Sequence, residues 1–295
     1  VGTSSTGTLN AAICNTGVGI GVFGALTSGD FNTAVGTNAL LANTSAGANT
    51  AVGRSALCSN TTGDCNTGLG MNALLGNTEG FGNVAVGRSS MVANTTGDNN
   101  VAVGQNALVS NTTADDNTAV GTCSLNANTT GTINTAVGRE SLKANTTGDR
   151  NVAIGADTLV NNTTGLCNVA IGQGALFTNS TSCNNNALGK SSLFYNTTGE
   201  FNTAIGSCTL VNNTTASNNT AVGFESLKAN TTGDLNTAVG LCAFTTQTTA
   251  RKNTGVGSKV GASTTTGGSN VAMGQDTFRT NTTGSNNTAI GTLSL

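Results

Sequence analysis

An asparagine stands at every seventeenth position from Asn15 to Asn287, sixteen steps without one insertion or deletion. Four residues after each of them there is a glycine, from Gly19 through Gly104 to Gly291. The residue before that glycine is always Val, Ile, Leu or Met, and the one before that is only Ala or Gly. A fixed period of this length means a stack of near-identical structural units, each burying its apolar side chains against its neighbours. A disordered tract would not keep aliphatic residues in register with an unbroken Asn and Gly frame. The expected fold is therefore all-β: a parallel β-solenoid over residues 15–295, one 17-residue coil per repeat, the last repeat incomplete. Residues 1–14 read as a degenerate N-terminal coil, with Thr6 where later units place Leu or Phe.

Numbered from its Asn, the unit is N-T-A-V-G-x-x-A/S-L-x-x-N-T-T-G-x-x. Positions 2 to 4 alternate and are rich in Thr, Val and Ile, which predicts a strand. Positions 8 to 11 predict a second short strand, with Leu, Phe or Met at position 9 (Phe23, Leu40, Leu57, Leu125, Phe244) and Gly261 as the exception. Gly at position 5 marks a backbone conformation that other residues adopt with difficulty. Asn-Thr-Thr-Gly is a cluster of turn formers.

Stacking places equivalent strands in register about 4.8 Å apart, so some 17 rungs make a rod on the order of 80 Å long. Asn15, Asn32, Asn49, Asn100, Asn151, Asn202 and Asn287 then belong to one rank in which each side-chain amide can bond the next. The large side chains of positions 4 and 9 are expected to form the core. Position 3 points the opposite way from position 4, toward water, yet it never carries a polar or long side chain. Ala34, Ala51, Ala102, Ala136, Ala187 and Ala238 therefore read as a chain–chain face, covered by a second copy. Tight turn geometry within a single coil is the alternative. Neither end carries an evident cap, so the subunit is expected to belong to a longer chain or to join end to end.

The side-chain inventory narrows the function. Net charge is −2 and no basic cluster occurs, which argues against nucleic acid as a partner. No apolar run approaches the roughly 20 residues that span a bilayer. Val1-Gly2-Thr3-Ser4-Ser5 lacks the basic start and apolar centre of a secretory signal. An exported form would be processed or partial, or released by lysis as virion proteins are. The absence of His removes Ser-His and Cys-His nucleophile pairs and argues against zinc. Gly19-Ile20-Gly21-Val22-Phe23-Gly24 has the spacing of a dinucleotide loop but no following helix, and it sits inside a Gly-rich repeat. No enzyme, cofactor or metal is expected.

Acidic residues recur at position 16 (Asp30, Asp64, Asp98, Asp115, Asp149, Asp234 and Glu200), where they suit a solvated turn better than a cation-binding edge. The position-12 Asn opens Asn-x-Ser/Thr at Asn43, Asn60, Asn94, Asn145, Asn196, Asn230 and Asn281. That is a row of glycan acceptors in a eukaryotic secretory pathway, or simply a turn that favours Asn-Thr-Thr-Gly. Of the eight Cys, Cys167 and Cys183 fall on adjacent rungs displaced by one position. That places them within reach of a disulfide, whose Cα atoms lie roughly 4.4–6.8 Å apart. Bonds between chains and use as small apolar filler are the alternatives.

The unit Asn134-Thr135-Ala136-Val137-Gly138, followed by Ser141-Leu142 and Asn145-Thr146-Thr147-Gly148, resembles the shorter head repeats of trimeric autotransporter adhesins (Hep/Hag type). It resembles more closely the 17-residue repeats of phage and algal-virus tail-fibre-like proteins, many of which end in a self-cleaving endosialidase-type chaperone. The resemblance covers the chain from about residue 15. It implies a left-handed parallel β-roll and a trimer, with the small-residue strand face near the three-fold axis. Together these readings point to a structural extracellular fibre or filament subunit at a cell surface or virion. Its partner would be itself, as a trimer or an end-to-end filament. An adhesin head with a cell-surface or glycan ligand is the competing class. An ice-binding protein is a poorer fit, because position 2 is often Val and the paired Thr lie in a turn.

Overall fold

Each coil contributes one strand of three residues, always at positions 2 to 4 of the repeat. The computed structural model describes residues 12–294; most of the expected weak coil at residues 1–14, and Leu295, lie outside the described residues. The chain divides into two compact units, Val1–Asp149 and Arg150–Leu295. The period gives no sign of the division, since Asp149 and Arg150 are positions 16 and 17 of one repeat. The first unit holds β1 (Thr16–Val18), β2 (Thr33–Val35), β3 (Thr50–Val52), β4 (Thr67–Leu69), β5 (Val84–Val86), β6 (Val101–Val103), β7 (Thr118–Val120) and β8 (Thr135–Val137). The second holds β9 (Val152–Ile154), β10 (Val169–Ile171), β11 (Asn186–Leu188), β12 (Thr203–Ile205), β13 (Thr220–Val222), β14 (Thr237–Val239), β15 (Thr254–Val256), β16 (Val271–Met273) and β17 (Thr288–Ile290).

Within each unit, consecutive strands pair in parallel with equivalent residues side by side. Thr33, Ala34 and Val35 lie beside Thr50, Ala51 and Val52, and Thr203, Ala204 and Ile205 beside Thr220, Ala221 and Val222. Each unit is thus an all-β parallel solenoid that advances one rung per 17 residues. No helix occurs among the described residues.

Two expectations are corrected. Positions 8 to 11 are not a strand: the segment from position 6 to position 11 is a continuous run of turns. Its backbone enters the left-handed region twice, as at Asn106 (φ 54°) and Leu108 (φ 52°), and the coil does so again at position 17, as at Asn99 (φ 57°). Alternate left-handed residues curl the chain back on itself, which an extended strand cannot do. Asn38, Asn72, Asn106 and Gly174 at position 7 were the sequence signal, because Asn and Gly tolerate this region best.

The second correction is to the sidedness of the strand. Position 3 faces inward: Ala34, Ala51, Ala102, Ala136, Ala187 and Ala238 have no accessible surface in the single chain. A side chain already sealed inside its own coil cannot be the face on which a second chain lies. Positions 2 and 4 point outward, and Val52 is 39% exposed. Alternation shows that neighbouring residues point opposite ways but not which of them is inside. A coil this thin has room for one Leu at position 9, a small residue at position 8 and two asparagines. Only Ala or Gly then fits at position 3.

That economy of space explains Gly261. A Cβ there would lie 2.1 Å from Cε1 of Phe244, whose ring takes the room a position-9 side chain normally fills. The same ring blocks a Cβ at Gly255, and Val22 together with the Phe23 ring crowds one at Gly17. Where position 9 is Leu, as at Leu40, Leu108 and Leu142, the side chain is fully buried. Each such burial contributes about 1.5–3 kcal/mol.

Candidate functional site

The asparagines predicted as a ladder lie inside the coils, half-buried only at Asn15 and Asn287, and their amides do more than bond one another. Asn49 donates its backbone N–H to Oδ1 of Asn32 (3.0 Å) and its Nδ2 to the Gly63 carbonyl (3.0 Å). Asn100 repeats the pattern with Asn83 Oδ1 (2.9 Å) and the Ala114 carbonyl (2.8 Å), and Asn202 with Asn185 Oδ1 (3.0 Å) and the Ala216 carbonyl (2.8 Å). Asn15 and Asn151 donate Nδ2 to Gly29 and Gly165 at 2.8 Å each, and Asn287 donates its backbone N–H to Asn270 Oδ1 at 3.0 Å.

A second amide ladder, at position 12, was not expected from the repeat. Asn77 Nδ2 donates to Asn60 Oδ1 (2.8 Å) and to the Gly80 carbonyl (2.9 Å), the same carbonyl that receives Asn66 Nδ2 at 2.7 Å. Two buried asparagines of one coil thus converge on its position-15 carbonyl and close the loop. Most of the position-12 residues read above as glycan acceptors or plain turn formers are members of this ladder: Asn43, Asn60, Asn94, Asn145, Asn196 and Asn230 are fully buried. The nitrogen that a glycan would occupy is sealed and already donating in the folded chain. Asn281, half-buried, donates to Gly284 at 3.2 Å.

Gly19 (φ 141°) and Gly104 (φ 139°) combine a backbone region hostile to side chains with close stacking: a Cβ on either would sit 2.5 Å from the Gly36 or Gly121 carbonyl oxygen. Gly291 (φ 120°) shares the conformation, with nothing within 4 Å of that Cβ position.

The position-16 acids tie rungs together. Asp64 Oδ1 accepts the Gly47 N–H (2.7 Å), Asp98 that of Phe81 (2.9 Å), Asp115 that of Asp98 (2.8 Å) and Asp234 that of Ser217 (2.8 Å). Position-13 threonines form a parallel tie, each hydroxyl donating to the next rung's carbonyl, as Thr95 does to Thr112 (3.0 Å). All eight cysteines are free thiols. Cys167 is exposed and Cys183 half-buried, and the Cys183 sulfur accepts the Leu166 N–H (3.3 Å), taking the place of the position-16 Asp. Lys228 pairs with Glu225 at 2.8 Å, which raises the lysine's affinity for its proton. Among the described residues no three Cys, Asp or Glu side chains gather closely enough to hold a metal ion. Among the described residues no helix is long and apolar enough to cross a membrane.

The outer side of the sheet is a regular part of the surface. Position 2 presents Thr or Val in all but β11, where Asn186 takes its place. Position 4 presents an aliphatic side chain or Met in every strand, for example Val18, Val52, Ile154, Ile171, Ile205 and Met273. No family model matches the chain, and no curated protein matches it.

Proposed function

We propose that the chain is a non-catalytic structural subunit of an extracellular fibre or filament, which assembles with copies of itself through the outer sheet face. The supporting observation is the rank at position 4. It points outward in every strand and is never charged or polar, whereas position 6, exposed in the turn that follows, varies freely through Arg54, Gln105, Lys190 and Phe224. An outward rank free of all constraint would vary as position 6 does. Apolar side chains held at an exposed site in coil after coil suit a surface that is covered in use. A strip that repeats at about 4.8 Å is matched along its length by another strip of the same repeat, so a second copy is the occupant that fits. The resemblance to adhesin heads and tail-fibre repeats supports a fibre at a cell surface or virion, with the sheet face, not the alanines, at the chain–chain contact.

Sedimentation and negative-stain electron microscopy of the wild type and of a Val103→Lys/Val120→Lys pair test this. The wild type is expected to form oligomers or filaments. The pair should fall apart to single chains with an unchanged circular-dichroism spectrum. A wild type that stays monomeric over a wide concentration range, or a variant that assembles equally well, contradicts the proposal.

A further inference from the structure

In the second unit the small-residue rank at position 11 is broken three times, by Asn161, Tyr195 and Asn212. Most coils place Ala, Ser, Gly or Thr there; one places Tyr195, the only tyrosine in the chain. The residue is 49% exposed. It is held edge-on against Phe194 (centroids 4.8 Å, 75°), which is itself stacked flat on Phe177 of the preceding rung (4.8 Å, 2°). This is the one aromatic cluster among the described residues, in a chain of which only 3% is aromatic.

Tyr195 lines an open hollow of about 440 Å³ with Thr178, Thr197, Asn212, Thr214 and others, none of them charged. That volume is within the roughly 300–1,000 Å³ of small-molecule sites. The Thr178 hydroxyl is committed to the Phe194 and Asn196 carbonyls (2.9 Å each), and the Thr197 hydroxyl to that of Thr214 (2.9 Å), which leaves their oxygens as acceptors. Asn212 is exposed, and its side-chain amide makes no hydrogen bond to another described residue, so it offers both donors and an acceptor.

We infer that this hollow binds a neutral saccharide, one sugar ring lying on Tyr195 and its hydroxyls meeting the Asn212 amide and the threonine oxygens. The negative face of an aromatic ring attracts the slightly positive C–H face of a pyranose. An uncharged lining with amide and hydroxyl groups suits hydroxyl-rich ligands without carboxylate or sulfate. The inference does not depend on assembly, because the hollow lies on position-11 and position-13 residues and not on the sheet face.

With one tyrosine and no tryptophan, tyrosine emission excited beyond the phenylalanine bands reports on this site alone. Titration of the full chain with neutral gluco-, galacto-, manno- and N-acetylglucosamine oligosaccharides at up to millimolar concentration should give a saturable change in emission with at least one of them. Saturation-transfer NMR with the same sugar should show transfer to the ring protons abolished in Tyr195→Ala, and affinity kept within about threefold in Tyr195→Phe. In Asn212→Ala the sugar should bind about five- to tenfold more weakly, the cost of one hydrogen bond. Tyr195→Ala with an unchanged circular-dichroism spectrum and unchanged binding would overturn the inference. So would a panel in which no neutral sugar binds, or only sialylated or sulfated ones do.

Discussion

In the first unit, from Asn49 to Asn134, both asparagine ladders run without a lapse; toward the end of the second unit only one of them does. Gln247 and Thr264 take the position-12 places, and position 9 passes through Phe244, Gly261 and Phe278. The consequence is local. Asn230 Oδ1 is left as the single buried side-chain nitrogen or oxygen without a partner among the described residues, because Gln247 turns away to accept from Asn253 Nδ2 (2.9 Å). The position-1 ladder continues regardless, with the Asn253 N–H on Asn236 Oδ1 (3.0 Å) and that of Asn270 on Asn253 Oδ1 (2.9 Å).

The difference shows why one asparagine is invariant and the other is not. At position 1 the side-chain oxygen receives the backbone N–H of the next coil's Asn, so losing it orphans a buried main-chain donor. At position 12 the backbone N–H is satisfied locally, as Asn111 is by Leu108 (3.3 Å), and only side-chain bonds are at stake. An unmet buried donor costs about 1–3 kcal/mol, whereas a typical hydrogen bond contributes about 1 kcal/mol net.

The sharpest way to break this contrast is in the irregular coils. Gly261→Leu should destabilise the second unit by about 3 kcal/mol or more, since the new side chain meets the Phe244 ring at a position with φ 58°. Adding Phe244→Leu should recover much of that loss, which a urea-denaturation double-mutant cycle would measure. Next in size, Asn100→Ala should cost about 2–3 kcal/mol and Asn111→Ala about 1 kcal/mol; equal costs would remove the distinction between the ladders. Gln247→Asn should gain about 1 kcal/mol by giving Asn230 Oδ1 its missing donor. The smallest effect is chemical. Burial pushes the Cys58 thiol up, so its thiolate appears only as pH rises further, and at neutral pH alkylation should reach exposed Cys65 of the same repeat first.

Much of this architecture is visible in the residues themselves. The Asn and Gly frame implies the stack, Thr-Ala-Val implies the strand, and an unbroken Gly at position 5 implies its positive φ. Parity is where inference from pattern stops. Ala and Val alternate whichever of them is buried, and the larger residue is the natural choice for a core. Only the volume left after Leu and two asparagines have entered the coil makes Ala the inward one. Leu at position 9 gave no warning of a left-handed backbone, because its buried side chain outweighs the local strain. The position-12 asparagines look like turn residues or glycan acceptors until their burial is seen. Tyr195 is conspicuous as the only tyrosine, but the hollow it lines is assembled from four successive rungs.

Side-chain amide exchange measures the central claim most directly, that each coil is closed by two sealed asparagine amides. In a proton–deuterium exchange experiment followed by NMR, the Nδ2 protons of Asn83, Asn94, Asn100 and Asn111 should persist long after that of exposed Asn212 is gone. Exchange of all these amides together, at the rate of a free asparagine, would contradict the account.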